Sequence, residues 1–176
     1  MLLTATLSLL LMQQAPAENV DWDAEFGVEE VERDPATGEI PVEPYEQKNE
    51  NAGAKPFTGD DMAETFGGRD GIRQIAERFV EINFADPRIQ GIFAGHDEVR
   101  LRRTIFEQFC YILNAGCDYT GRDMKSSHEG LGSRKADLNA IVENLQQAMR
   151  EQDVPFAAQN RFLSKLAPMS RDVINR

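Results

Sequence analysis

Residues 133–149 repeat apolar side chains at the spacing of an amphipathic α-helix, and this pattern restricts the fold more than any other feature of the chain. The apolar positions fall at i, i+3, i+4, i+7, i+10 and i+11, which places them on one face of a helix. They are Leu138, Ile141, Val142, Leu145, Ala148 and Met149. We therefore predict a helix here, capped by Ser133, with one face buried.

Three more helices are predicted by the same periodicity. The first covers 69–84 and ends at Asp86, because a residue that precedes a proline avoids helical angles. The second starts at Asp97 and ends at Asn114, and the last begins near Pro155 and kinks at Pro168. No segment alternates like a β-strand. The sequence therefore predicts an all-α domain with four principal helices.

The acidity of the chain is concentrated before the helical part. Residues 18–64 contain fifteen Asp and Glu against three Lys and Arg, whereas residues 65–176 contain fifteen acids against sixteen bases. A nearly neutral domain without a basic face binds nucleic acid poorly, so we expect no nucleic-acid partner. Residues 18–63 also hold four prolines and show no periodicity, which predicts an acidic, mostly flexible linker.

The first seventeen residues have the character of a secretory signal peptide. About twelve apolar residues are too few to span a bilayer, and Ala15-Pro16-Ala17 has the small-residue pattern of a cleavage site before Glu18. We therefore predict an exported, periplasmic protein. No basic residue precedes Arg33, so a retained anchor stays open, and membrane contact is expected only in that case.

Common catalytic and metal-binding motifs are missing from the sequence. We find no Cys-x-x-Cys zinc motif, no Cys-x-x-Cys-His haem-attachment motif, no Gly-x-Ser-x-Gly, no P-loop and no Gly-x-Gly-x-x-Gly. The only histidines are His96 and His128. Any site chemistry that depends on imidazole must use one of these two residues.

The surroundings of His128 resemble the truncated haemoglobins, most closely their first group. The resemblance rests on Tyr119-Thr120-Gly121-Arg122-Asp123-Met124, three residues, then His128, followed by Gly130 and Gly132. Further matching pieces occur in the expected order: Phe66-Gly67-Gly68, Ala85-Asp86-Pro87-Arg88 and Ile92-Phe93-Ala94-Gly95. The resemblance covers residues 64–176 and implies a globin domain with a two-over-two helical sandwich.

The resemblance implies a non-covalently bound haem b whose iron is held by His128 and which takes a diatomic gas on its open side. It also implies that Phe93 stacks on the porphyrin and that Met124 lies near the proximal side of the haem, where His128 binds the iron. We expect the apolar walls to be Phe79, Phe106, Phe109, Leu138, Ile141 and Val142. The candidates for pairing with the haem propionates are Arg102, Arg103, Arg122 and Lys125.

The residues expected on the distal side of the haem, where a gas would bind, depart from the family pattern. Val80 follows Phe79 where the family commonly has a tyrosine, and the next helix offers Leu101, Thr104 and Ile105 instead of a polar ligand-binding group. We expect an apolar pocket in which oxygen leaves quickly, iron oxidises readily, and carbon monoxide or nitric oxide is favoured. His96 is a lesser candidate for a sixth iron ligand or a propionate contact.

Three functions stay open at this point. The first is reversible binding of oxygen, carbon monoxide or nitric oxide. The second is a haem enzyme acting on nitric oxide, nitrite or peroxide with an unidentified electron donor. The third is a haem-free interaction module that acts through its acidic leader. Cys110 and Cys117 are either disulfide-bonded, which needs the chain to fold back after Asn114, or free thiols.

Overall fold

The computed structural model describes residues 31–176. The predicted signal peptide and the start of the predicted linker lie outside the described residues. Within the described part the chain forms eight α-helices in this order: α1 (Asp61–Thr65), α2 (Gly68–Ala85), α3 (Gln90–Phe93), α4 (Glu98–Ile112), α5 (Met124–His128), α6 (Lys135–Glu151), α7 (Phe156–Leu166) and α8 (Ser170–Val173). Short 3-10 turns occupy Asn49–Ala52 and Ala167–Met169.

The predicted all-α class is confirmed, since the part of the chain from residue 31 onward contains helices and no strand. The four long helices α2, α4, α6 and α7 correspond to the four predicted ones. One detail differs: Ser133 does not cap α6. Its hydroxyl donates instead to the carbonyl oxygen of Val173, and α6 begins after Arg134, whose backbone N–H donates to Asp137 at 2.8 Å.

Helix α2 lies at the centre of the packing. It contacts both α4 and α6, and α6 in turn contacts α7. Ile72, Ile75 and Ala76 on α2 are almost completely buried against the aromatic rings of Phe109 and Phe162 and their neighbours. Because apolar burial is the main source of folding free energy, this arrangement fixes the positions of the long helices.

The described part of the predicted linker, residues 31–63, differs from the flexible segment that its composition suggested. Residues Arg33–Arg176 form one compact unit, so the domain extends about thirty residues further towards the N-terminus than the predicted boundary at 64. The carboxylate of Glu39 is buried and pairs with Arg103 of α4. Composition alone cannot reveal this packing, because the partners of the segment lie 57 and 64 residues away in sequence.

Cys110 and Cys117 form a disulfide, with their Cα atoms 5.6 Å apart. Asn114 takes a left-handed backbone angle, φ 63°, just after α4, and this reverses the chain so that Cys117 returns to the end of the helix. Of the two arrangements left open by the sequence, the structure has the bridged one.

None of the helices formed by residues 31–176 is both long and apolar enough to cross a membrane.

The backbone of Phe66 lies very close to Gly71 at the start of α2, and a substitution at Gly71 tests this contact. A Cβ atom at this position would lie 2.2 Å from the carbonyl oxygen of Phe66, which is backbone and cannot rotate away. We predict that Gly71→Ala lowers the free energy of unfolding by about 1–3 kcal/mol, although alanine normally favours a helix. Urea unfolding followed by circular dichroism measures the change.

Gly91→Ala is the matched control, since a Cβ atom at this helical glycine would meet nothing within 4 Å. It should change stability by no more than about 0.5 kcal/mol. Equal stability of the two variants would contradict the described contact at Gly71.

Candidate functional site

A large cavity of about 1150 Å³ opens between the helices. Its wall includes residues of all the helices from α2 to α8, of the loop before α5, and of the segment that precedes α1. Ligand pockets in proteins usually have volumes of about 300–1,000 Å³. The space is therefore large enough for an extended planar molecule.

His128 is the last residue of α5 and lies on the wall of this cavity. Its Nδ1 atom is 2.6 Å from the carbonyl oxygen of Met124. A carbonyl oxygen can only accept a hydrogen bond, so Nδ1 must carry the ring proton and donate it. The lone pair is then on Nε2, which is the arrangement of an imidazole that ligates a metal.

Helix α5 is only five residues long, and it depends on its N-terminal cap. The side chain of Asp123 accepts a hydrogen bond from the backbone N–H of Ser126 at 3.0 Å and one from its hydroxyl at 2.7 Å. These hydrogen bonds lower the pKa of the Asp123 carboxyl, because they favour its charged form. The sequence predicted a loop here, since five residues are too few to show a helical period.

Most of the predicted apolar wall lines the cavity. The residues on its surface include Phe79, Phe93, Phe109, Met124, Leu138, Ile141 and Val142. Phe106 is the exception. It is buried on another side of α4, where the guanidinium carbon of Arg73 lies 3.8 Å from its ring centroid. Sequence spacing places Phe106 and Phe109 on two neighbouring apolar stripes of this helix, but it does not show which stripe faces the cavity.

Helix α4 presents Leu101, Thr104 and Ile105 to the cavity. The Thr104 hydroxyl donates to the carbonyl oxygen of Arg100 on its own helix at 3.0 Å, so it is already used. Val80 differs from its predicted position: it is buried in α2 and does not line the cavity. The part of the wall that α4 contributes here is therefore apolar or internally satisfied.

The basic residues divide into two groups. Arg102 pairs with Glu98, Arg103 pairs with Glu107, and Lys125 is exposed, so these three predicted anion partners do not line the cavity. Arg122 does line it, as do Arg100 and Lys135, which the sequence reasoning missed. Arg102 and Arg103 are held away from the cavity by carboxylates four residues away on their own helix, a spacing that the sequence shows. The further pair of Arg103 with Glu39 is long-range and has no sequence signal.

His96 also lines the cavity. Gln108 is a buried polar residue of the wall that the sequence reasoning missed. Its amide donates to the Ala52 carbonyl oxygen at 2.9 Å and lies 3.3 Å from the sulfur of Met124. The Ala52 contact explains how a polar amide is tolerated at this position.

The metal-ligating side chains at the cavity are too few to bind a metal ion alone. They suit a planar apolar cofactor that supplies most of the ligands of its own metal. Within residues 31–176 no cluster of three His, Cys, Asp or Glu side chains could hold a bare metal ion. One or two imidazoles beside an apolar cavity hold a metal firmly only when the other ligands come from a cofactor. The residues present thus fit a metalloporphyrin and not a free cation.

The family model for bacterial-like globins matches residues 61–175. Among curated proteins, the chain is 27% identical to a group 1 truncated hemoglobin of Mycolicibacterium paratuberculosis over 61% of this chain and 79% of that protein. It is 24% identical to a group 1 truncated hemoglobin of Nostoc commune over 65% of this chain and 98% of that protein.

Two solved structures share the fold. The truncated hemoglobin of Tetrahymena pyriformis aligns with a TM-score of 0.62 at 22% identity, covering 65% of this chain and 98% of that one. The 2/2 hemoglobin of a Synechococcus species, described with covalently attached heme, aligns with a TM-score of 0.60 at 23% identity over the same shares. These likenesses confirm the two-over-two helical sandwich.

The cap of α5 can be tested by Asp123→Ala. We predict that this change lowers the free energy of unfolding by about 0.5–2 kcal/mol, because the first turn of α5 loses its acceptor. Urea unfolding at pH 7 measures the change. Asp123→Asn is the matched control, since asparagine caps about as well as aspartate. If the alanine variant were as stable as the asparagine variant, the cap would not stabilise this helix.

Proposed function

We propose that this chain, which belongs to the bacterial-like globin family, holds its haem iron through Nε2 of His128 and reversibly binds a diatomic gas there. The observation that carries the proposal is the hydrogen bond from Nδ1 of His128 to the Met124 carbonyl oxygen. In the neutral ring that bond leaves Nε2 without a proton, and His128 lies on the wall of a large, mostly apolar cavity.

The chain's own residues would each have a defined part. Haem, when bound, would supply an iron centre that can take a diatomic gas. His128 would hold the iron, and the carbonyl of Met124 would orient its ring. Phe79, Phe93 and Phe109 would exclude water from the cofactor. Of the basic groups at the cavity, Arg122 and Lys135 would bind its carboxylates, because Arg100 already pairs with Glu39.

We further propose that the cofactor is haem b, held without a covalent bond. Two observations support this. The chain lacks the Cys-x-x-Cys-His attachment motif, and its two cysteines are bonded to each other in the disulfide. No thiol is then left to react with a vinyl group of the porphyrin.

The side chains of Leu101, Thr104 and Ile105 on α4 support a preference among gases. Leu101 and Ile105 offer no hydrogen-bond donor, and the Thr104 hydroxyl is used by its own helix. Oxygen depends on such a donor more than carbon monoxide or nitric oxide does. We propose fast oxygen release and a relative preference for the other two gases.

We also propose that the protein is exported to an oxidising compartment such as the periplasm. The disulfide between Cys110 and Cys117 supports this, because such bonds persist outside the reducing cytosol. Processing before Glu18 stays a prediction.

His128→Ala tests the iron ligand. The purified wild-type chain reconstituted with haemin should keep a Soret band through gel filtration, whereas the variant should lose it or recover it only with added imidazole. His96→Ala is the matched control, since it removes the only other histidine and should keep the band. A His128→Ala variant with the wild-type spectrum would exclude this residue as the ligand.

Ile105→Gln tests the gas preference. A side-chain amide at this cavity position can donate a hydrogen bond worth about 0.5–1.5 kcal/mol, so oxygen release should slow by roughly 2- to 10-fold. Stopped-flow absorbance measures the rate. Val99→Gln, on the exposed side of the same helix, should leave the rate unchanged. A wild-type rate in the Ile105→Gln variant would mean that this position does not face the gas.

A further inference from the structure

Residues 33–59, here termed the N-terminal strap, pack on the helical domain although they precede the part matched by the globin family model, which starts at residue 61. A tight turn shapes its start. The Asp34 carboxylate accepts from the backbone N–H groups of Ala36 and Thr37 at 2.8 and 2.9 Å. The strap therefore has a defined path of its own.

One part of the strap is attached to α4 and its N-terminal cap. Asp97 accepts hydrogen bonds at 2.8 Å from the side chain of Arg33 and from the backbone N–H of Ile40. The carboxylate of Glu39, itself buried, lies 3.2 Å from Arg100 and also pairs with Arg103. Two carboxylates and three arginines thus join the strap to α4.

The following part of the strap is attached to the loop that leads to α5. The hydroxyl of Tyr45 donates to the carbonyl oxygen of Thr120 at 3.0 Å, and the amide of Asn51 donates to that of Gly121 at 3.2 Å. Arg122 donates to the Glu43 carbonyl oxygen at 3.1 Å, and its guanidinium carbon lies 5.0 Å from the Tyr45 ring centroid. The strap therefore connects α4 with the segment that carries His128.

Between these attachments, Ile40, Val42 and Tyr45 contribute to the wall of the cavity. The strap thus does more than cover the outside of the domain. It supplies two aliphatic side chains and one aromatic ring to the same space that His128 lines. Apolar groups at such a wall favour an apolar occupant and exclude water from it.

We propose that the N-terminal strap is part of the haem-binding site: it forms one wall of the pocket and slows the release of haem. The inference rests on the proposed function, because it assumes that haem occupies the cavity. Glu39 is the positioning residue of this wall. It touches no cavity occupant itself, but its two ion pairs hold the neighbouring Ile40 against α4.

Loss of the Glu39 charge should loosen the contact between the N-terminal strap and α4, and with it the wall that the strap forms at the pocket. Glu39→Gln keeps the size of the side chain but leaves Arg100 and Arg103 without their shared buried partner, which is a costly change. Glu43→Gln is the matched control, because Glu43 lies in the same strap with an exposed side chain that makes no ion pair in the described structure. Both variants are made in the full-length chain.

The first readout is haem loss from the reconstituted protein to an excess of a haem-scavenging apoglobin, followed at the Soret maximum. We expect Glu39→Gln to lose haem about tenfold faster than the wild type, and Glu43→Gln to match the wild type. Equal rates for the two variants would overturn the role of the strap and leave the haem proposal intact. A wild-type chain without any Soret band would overturn both.

The second readout uses the wild-type chain and does not depend on any variant folding. Within residues 33–59 trypsin can cut only after Arg33 and Lys48, because Lys55 precedes a proline, and the Lys48 side chain is about half exposed. Cleavage there requires the strap to detach locally. Added haemin should slow cleavage after Lys48, as followed by mass spectrometry. Cleavage at the same rate with and without haemin, in a chain that shows a Soret band, would contradict the proposal.

Discussion

The packing of α2 against both α4 and α6 is the constraint on which the rest of the structure depends. Its inner face is almost wholly buried, so any movement of this helix would expose apolar surface. With α2 fixed, α4 and α6 are held apart by side chains and bound a cavity between them. The site is thus a consequence of how three helices pack, and the chemistry is added by single residues on short elements.

The sequence predicted the long helices well because each repeats its apolar residues over several turns. It did not predict the short elements, in which apolar residues show no helical repeat. Helix α5 is held by the Asp123 cap and by its place in the fold, and five residues carry no periodic signal. Within the site, the sequence did not show which of two neighbouring apolar residues of α4 faces the cavity. Phe109 reaches it, while Phe106 packs under Arg73.

Charged residues were the least predictable part of the site. A guanidinium can reach any carboxylate within several ångströms, and its partners here lie either one turn away on the same helix or far away in sequence. Arg103 points to Glu39, sixty-four residues away, and Arg102 to Glu98 on its own helix. The same long-range pairs explain the strap, whose acidic, proline-containing sequence resembles a solvated linker when it is considered without its partners.

The disulfide between Cys110 and Cys117 has a further consequence for the pocket. It ties the end of α4 to the chain that continues, after a few residues, into the helix of His128. A cross-link of this kind removes conformational freedom that the chain would otherwise lose when a ligand orders it. The pocket is therefore preorganised by a covalent bond, and part of the entropy that cofactor uptake would cost is already lost when the polypeptide folds.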